Sequence, residues 1–181
     1  MCRLAITGGI AEGKTTVTGY IRELGIAAVS ADDISREVFA EPEVQADLRK
    51  HFQTSESIDP SHARSALASD VRFRRKLNDL THPRILRLMR ASVARVFEVP
   101  LLFEACLQGE FDRVWVVTCG PEEQIERLVS RLGDRQKASA MLQTQLPTPV
   151  KCAFADRIVR TNLDEASVKA YVIEAVGRDL A

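Results

Sequence analysis

Eight residues near the start of the chain restrict its fold more than any other stretch. Gly8-Gly9-Ile10-Ala11-Glu12-Gly13-Lys14-Thr15 satisfies every fixed position of G-x-x-x-x-G-K-[ST]. The apolar run Arg3 to Thr7 precedes it and a helical pattern from Lys14 to about Leu24 follows, so the segment reads strand, loop, helix. In that arrangement successive backbone N–H groups form an anion nest at a helix N-terminus. Gly8 and Gly13 permit backbone angles that a side chain would oppose. Lys14 supplies a point charge for β and γ phosphates, and Thr15 offers a hydroxyl ligand for Mg²⁺. Glu12 is an unusual neighbour for phosphates, and its side chain is expected to point into solvent at the loop tip.

The remaining pattern continues the same theme. Gly25 ends the first helix, and Ile26 to Val29 forms a second small strand that delivers Ser30-Ala31-Asp32-Asp33 into a loop or helix start. Residues 33–95 carry no convincing strand and show helical periodicity, interrupted at Pro42, around Thr54 to Pro60, and at Pro83. Further strands are expected at Val96 to Leu102, Arg113 to Cys119 and Asp156 to Thr161, and helices at Gln124 to Leu132 and Asp164 to Gly177. Strands alternating with helices predict right-handed crossovers and a parallel sheet. At 181 residues, with no internal repeat or low-complexity linker, the chain reads as one domain.

Composition narrows the function classes. The 25 Lys and Arg balance 25 Asp and Glu, so the basic excess of a non-specific nucleic-acid binder is missing. Cys2, Cys106, Cys119 and Cys152 contain no C-x-x-C pair and no zinc-ligand spacing with His51, His62 or His82, and read as reduced and structural. The N-terminal apolar run is too short for a signal peptide and no run reaches the length of a membrane span, which predicts a cytoplasmic protein without a membrane partner.

A phosphate loop implies a nucleotide without saying what happens to the phosphate. No Asn-Lys-x-Asp base-reading motif is present, and no apolar strand ends in a clear Asp as an ATPase motor would want; the only acid inside the third strand is Glu98. A small kinase remains, in which an acid near the loop accepts the proton of a substrate hydroxyl. Asp32, just past the second strand and beside the strand that feeds the loop, suits that role. Its other reading is a helix N-cap, which fits Asp33 better. Arg127 and Arg131 share a helix face, with Arg135 one step beyond a break at Gly133-Asp134. They read either as cations arriving with a closing lid or as a solvated face paired with Glu123 and Glu126, and Arg131 is nearest the break.

The zero net charge conceals a segregation. Between Arg64 and Arg90 eight cations meet only Asp70 and Asp79, a local +6, whereas Glu104 to Glu126 carries −5. The basic segment is either a charged outer helix face or a surface for an acceptor with phosphates of its own. His82-Pro83 within it reads as a helix entry.

These residues together resemble the dephospho-coenzyme A kinase family. The resemblance runs through Thr7-Gly8-Gly9-Ile10 and Gly13-Lys14-Thr15-Thr16, Ala31-Asp32 with Ile34 and Arg36-Glu37-Val38, and His82-Pro83. It continues through Val99-Pro100-Leu101-Leu102-Phe103-Glu104, Glu123 to Leu128 with Arg131, Gln145, and Ala155-Asp156. It implies an α/β P-loop NTPase fold of the nucleotide-kinase kind, with a five-stranded parallel sheet flanked by helices. The core would cover about 1–40 and 96–181, a helical acceptor-binding insertion about 41–95, and a short lid about 131–147. It implies ATP and Mg²⁺ as cofactors, and phosphorylation of the ribose 3′-hydroxyl of dephospho-coenzyme A as the reaction. By position Asp32 resembles the base, Lys14 and Arg131 further catalytic groups, and Thr15 the Mg²⁺ contact. Gly8 through Thr16, that is Gly8, Gly9, Ile10, Ala11, Glu12, Gly13, Lys14, Thr15 and Thr16, resemble the nucleotide-binding loop. Asp32, Arg36, His82, Pro100, Leu101 and Glu104 resemble acceptor-side residues.

The chain departs from the family pattern in places. Ser30-Ala31-Asp32 stands for Asp-Ala-Asp, Ala11-Glu12-Gly13 for Gly-Ser-Gly, Glu98 for Asp, and Thr118 for an Asp that often closes the fourth strand; the stretch between His82 and Pro100 is shortened. Another small-molecule or nucleoside monophosphate kinase, and a catalytically impaired nucleotide-binding protein, stay open as alternatives.

Overall fold

The structure, a computed structural model, describes residues 2–59 and 70–180. The basic segment therefore lies within the described residues except for Arg64 and its neighbours. The chain divides into two compact units, Met1–Val29 with Val93–Ala181, and Ser30–Ser92.

The first unit is built on the parallel sheet. Strands β1 (Leu4–Thr7), β2 (Ala28–Ser30), β3 (Val96–Glu98), β4 (Arg113–Thr118) and β5 (Arg157–Arg160) lie in the order β2-β3-β1-β4-β5. β1 pairs in parallel with both β3 and β4, matching Ile6 to Glu98 and to Trp115, and β4 pairs in parallel with β5. β3 is shorter than its apolar run suggested, because the chain turns at Pro100. The central strands are buried along almost their whole length, as expected where helices cover both faces of a parallel sheet. On one face Leu4, Ile6, Trp115, Val117 and Val159 pack with Val17 and Ile21 of helix α1 (Lys14–Glu23). Val168, Val172 and Val176 of the C-terminal helix (Glu165–Asp179) complete that cluster.

Polar ties fix the sheet ends. Asp156 accepts the Val114 N–H at 2.8 Å and pairs with Arg113, so the Ala-Asp of the family pattern serves here to join the starts of β4 and β5. Asp179 accepts the Trp115 indole N–H at 2.7 Å and two bonds from Arg157 at 2.9 Å, docking the last helix on the sheet.

The second unit is helical: α2 (Ala31–Ala40), α3 (Pro42–Phe52) and α4 (Val71–Ala91). No strand occurs among its described residues beyond Ser30 at its edge. Pro42 opens α3, where a missing N–H is harmless. Gln45 bridges α3 to the following loop, bonding the Phe39 and Ile58 carbonyls and the Ile58 N–H. Pro83 does not interrupt the helix as expected; it lies inside the 21-residue α4, so His82 is a mid-helix residue and not a helix entry. Side chains on either side of the proline donate to carbonyls of the turn before it, Thr81 Oγ1 to Leu77 O at 2.8 Å and Arg84 Nη1 to Leu80 O at 2.7 Å, which compensates backbone bonding weakened by the ring.

No helix among the described residues is long and apolar enough to cross a membrane.

Candidate active site

The loop from Gly8 to Gly13 joins β1 to α1 in a conformation that the sequence accounts for closely. Gly8 has φ +145°, and a Cβ on it would lie 2.3 Å from Val117 O, so the loop can leave the sheet only with glycine there. Ala11 adopts φ +61°, an arrangement disfavoured by roughly 1–2 kcal/mol for a residue with a Cβ. Helix α1 starts after Gly13 with no side-chain cap and no acid in its first turn, so its leading N–H groups and dipole are free for an anion. Lys14 folds back over the loop, its Nζ 2.7 Å from Gly9 O.

Glu12 contradicts the expectation of a solvent-facing tip. It is 1% exposed, and its carboxylate accepts the backbone N–H of Cys119 at the end of β4. The residue before the second loop glycine points into the protein, where strand ends crowd beneath the loop. Its backbone carbonyl accepts the Thr161 hydroxyl at 2.7 Å, and Arg127 holds Thr161 through bonds to its carbonyl at 2.7 Å and its Oγ1 at 3.3 Å. Gln124 adds a bond to Ile10 O at 2.9 Å. The phosphate loop is thus braced from below by helix α5 (Pro121–Leu132) and by the exits of β4 and β5. Burial, with the Glu12 carboxylate beside it, pushes the Cys119 thiol up to about 12. Two departures from the family pattern meet here, since Thr118, adjoining the Glu12 bond, accepts the Gly120 N–H at 3.0 Å.

Thr15 Oγ1 donates to Glu98 Oε1 at 3.1 Å. Glu98, buried at the end of β3, received no role in the sequence reading although it is an acid closing an apolar strand. The two side chains present hard oxygens side by side, a donor set that fits Mg²⁺. β3 also separates β2 from β1, so Asp32 does not follow a strand adjacent to the one feeding the loop. The β1-α1-β2 crossover skips one position, and β3 fills the gap.

Asp32 and Asp33 both sit inside the first turn of α2, exposed, and Ser30 occupies the cap position; Asp33 is therefore not the N-cap and instead pairs with Arg36 at 3.0 Å. His82 is exposed on α4. The basic face of α4 is partly neutralised, because Arg84 pairs with Glu41 and Glu43. Arg72, Arg74, Arg75, Lys76 and Arg87 remain exposed.

Of the arginine stripe, Arg127 is occupied by Glu123 and Thr161, the structural alternative. Arg131 is exposed in the last turn of α5, two residues before Gly133, whose φ of +69° ends the helix. Asp134 then caps helix α6 (Arg135–Leu142) through the Gln136 and Lys137 N–H groups.

Pro100 and Glu104 share one partner that the sequence reading missed. Lys151, in the short helix α7 (Thr148–Cys152), is fully buried, with Nζ 2.8 Å from Glu104 Oε1 and 3.2 Å from Pro100 O. Glu104 Oε1 also accepts the Leu146 N–H at 2.9 Å, while Oε2 is buried without a partner. Burial raises the Glu104 pKa, but the Lys151 ammonium and the N–H bonds outweigh it and the net shift is downward. Leu101 is exposed. No local pattern marks Lys151, since its partner lies 47 positions earlier.

The dephospho-CoA kinase family model matches residues 2–166. The dephospho-CoA kinase of Carboxydothermus hydrogenoformans is 33% identical over 94% of this chain and 90% of its own. A solved structure from Thermus thermophilus superposes with a TM-score of 0.87 at 23% identity, covering 99% of this chain and 98% of its own. The dephospho-CoA kinase structure from Campylobacter jejuni superposes with a TM-score of 0.63 at 21% identity, covering 97% and 96%. Those two structures speak for the fold, a P-loop kinase core, and the sequence matches for the family: this chain belongs to the dephospho-CoA kinase family.

Proposed function

We propose that this chain transfers the γ-phosphoryl group of ATP to the ribose 3′-hydroxyl of dephospho-coenzyme A, giving coenzyme A and ADP. One observation carries the reading: in a chain of this family, the phosphate loop is braced on three sides, its helix N-terminus is uncapped, and Lys14 is drawn over it. The amides of Gly8 to Thr16 and the Lys14 ammonium hold the donor phosphates. Thr15 and Glu98 are the groups that would hold Mg²⁺, which would supply charge neutralisation to the donor phosphates when bound.

Asp32 is assigned the role of base, accepting the 3′-hydroxyl proton as the phosphoryl group arrives; an exposed carboxylate in a first helical turn is free to do so. Arg131, at the hinge into the 131–147 lid, is assigned charge stabilisation on the transferring group. The unit Ser30–Ser92 is assigned acceptor binding, with Arg36, His82 and the exposed cations of α4 facing an acceptor that carries a pyrophosphate. Pro100, Leu101 and Glu104 are assigned to the acceptor side of the core. Glu104 acts there chiefly by anchoring the lid exit, because one of its oxygens is taken by Lys151 and Leu146.

A coupled assay of ADP release, with dephospho-coenzyme A as the added variable, tests the reading. Release should depend on the acceptor. The Asp32→Asn variant should lose at least about a hundredfold in turnover while binding ADP as the unaltered protein does. Acceptor-independent release, or full activity in the variant, would overturn the assignment.

A further inference from the structure

A cavity of about 540 Å³ opens beside the first turn of the phosphate loop. Its lining includes Gly9, Gln124, Gln145, Leu146, Pro147 and Thr148, and no charged side chain among the described residues. Two polar atoms of this lining, Gln145 Oε1 and Thr148 Oγ1, are buried without a hydrogen-bond partner. Thr148 is only 7% exposed. Buried polar atoms are rarely left unpaired unless a ligand or water completes them. The floor is loop backbone: a Cβ on Gly9 would lie 2.4 Å from Gln124 Nε2 and 2.7 Å from Thr148 Oγ1.

The cavity's place along the loop identifies which end of the reaction it serves. In a phosphate loop the lysine reaches the β and γ phosphates, and Lys14 Nζ lies against Gly9 O. Gly9 therefore marks the γ end, where the acceptor arrives. The donor's base is a ribose and a triphosphate away. On the other side the cavity touches Leu146, whose N–H is held by Glu104. An uncharged lining disfavours phosphate, whereas apolar walls with a few convergent polar atoms suit a neutral heterocycle. A glutamine amide is the side chain that matches the N6 and N7 edge of adenine.

We propose that this cavity receives the adenine base of the acceptor, with Gln145 Oε1 accepting from the exocyclic amine and the Thr148 hydroxyl bonding the base or its ribose. The assignment rests on the kinase reading above and makes Gln145 a specificity-determining residue.

The test is calorimetric titration, on protein saturated with ADP, of dephospho-coenzyme A and of its counterpart with hypoxanthine in place of adenine. Trp115 emission verifies that each variant keeps its core. The unaltered protein should bind the adenine compound about tenfold more tightly, the worth of one neutral hydrogen bond. In Gln145→Leu the two should differ by no more than about threefold, with ADP affinity unchanged. Thr148→Val should weaken both acceptors. An undiminished preference in Gln145→Leu, a loss of ADP affinity in place of acceptor affinity, or no binding of dephospho-coenzyme A overturns the assignment. Base-selective binding without acceptor-dependent ADP release would refute the kinase reading while supporting the cavity's assignment. Turnover without base preference would refute the cavity's assignment alone.

Discussion

Replacing Lys151 by methionine removes the charge from a fully buried side chain while keeping much of its volume. In the unaltered protein its ammonium meets Glu104 Oε1 at 2.8 Å and Pro100 O at 3.2 Å. The variant leaves the Glu104 carboxylate with the Leu146 N–H on one oxygen and nothing on the other. Truncating one partner of a buried pair destabilises by roughly 3–5 kcal/mol, and the surviving N–H bond places the expected loss near the lower end, about 3 kcal/mol at pH 8. Burial raises the Glu104 carboxyl, and Lys151 together with the backbone N–H bonds outweighs it. Without the ammonium, burial is opposed only by the N–H bonds and the carboxyl rises from its depressed value, so the variant recovers stability by binding a proton as pH falls. Urea unfolding followed by Trp115, the single tryptophan and a buried reporter of the sheet, measures this directly. The difference between the two proteins should shrink between pH 8 and pH 5, and Glu104→Gln combined with Lys151→Met should restore part of the loss. A loss below about 1 kcal/mol, or one that does not change with pH, would refute the view that a buried charge pair joins helix α7 to the loop after β3.

Glu12→Ser, which installs the family's usual residue, should cost about 1–3 kcal/mol by leaving the buried Cys119 N–H unpaired, read as a lowered urea midpoint and weaker ADP binding in titration. The Cys119 thiol, buried and pushed up to about 12, should resist iodoacetamide at pH 8 in the native protein while exposed Cys106 is alkylated, as mass mapping of the labelled peptides would show. Arg157, more than the opposing effect of burial, holds the Asp179 carboxyl below its usual range. A depressed folded-state pKa contributes stability above the unfolded value, near pH 4, and loses it as pH falls through the folded value. Asp179→Asn should therefore flatten the stability curve between about pH 4 and pH 2 in acid titrations followed by Trp115 emission.

Local features were legible where one stretch of chain contains its own cause. The phosphate loop and its flanks, the break at Gly133-Asp134 and the capped start of the last helix at Asp164 all follow from residues within a few positions of one another. Pro83 misled because a proline's penalty in a helix can be offset by its neighbours, here Thr81 and Arg84, once tertiary packing holds the helix together. Glu12 misled for a different reason. Its charge suggests solvent, but the direction of its side chain is dictated by the loop's backbone, and the N–H it satisfies belongs to Cys119, 107 positions away.

The sequence by itself determined the class of fold, the phosphate loop and the family, because strand-loop-helix periodicity and glycine positions are local consequences of backbone sterics. Tertiary structure alone decided which acids and cations meet which partners. The sheet order put β3, and so Glu98, beside Thr15. Folding helix α7 against the loop after β3 turned Glu104 and Lys151 into a buried pair, and it left Gln145 and Thr148 unpartnered at the edge of the phosphate loop. Such pairings join residues from separate strands and helices, and the free energy of burying a charge or leaving a polar atom unpaired exists only once the elements have packed.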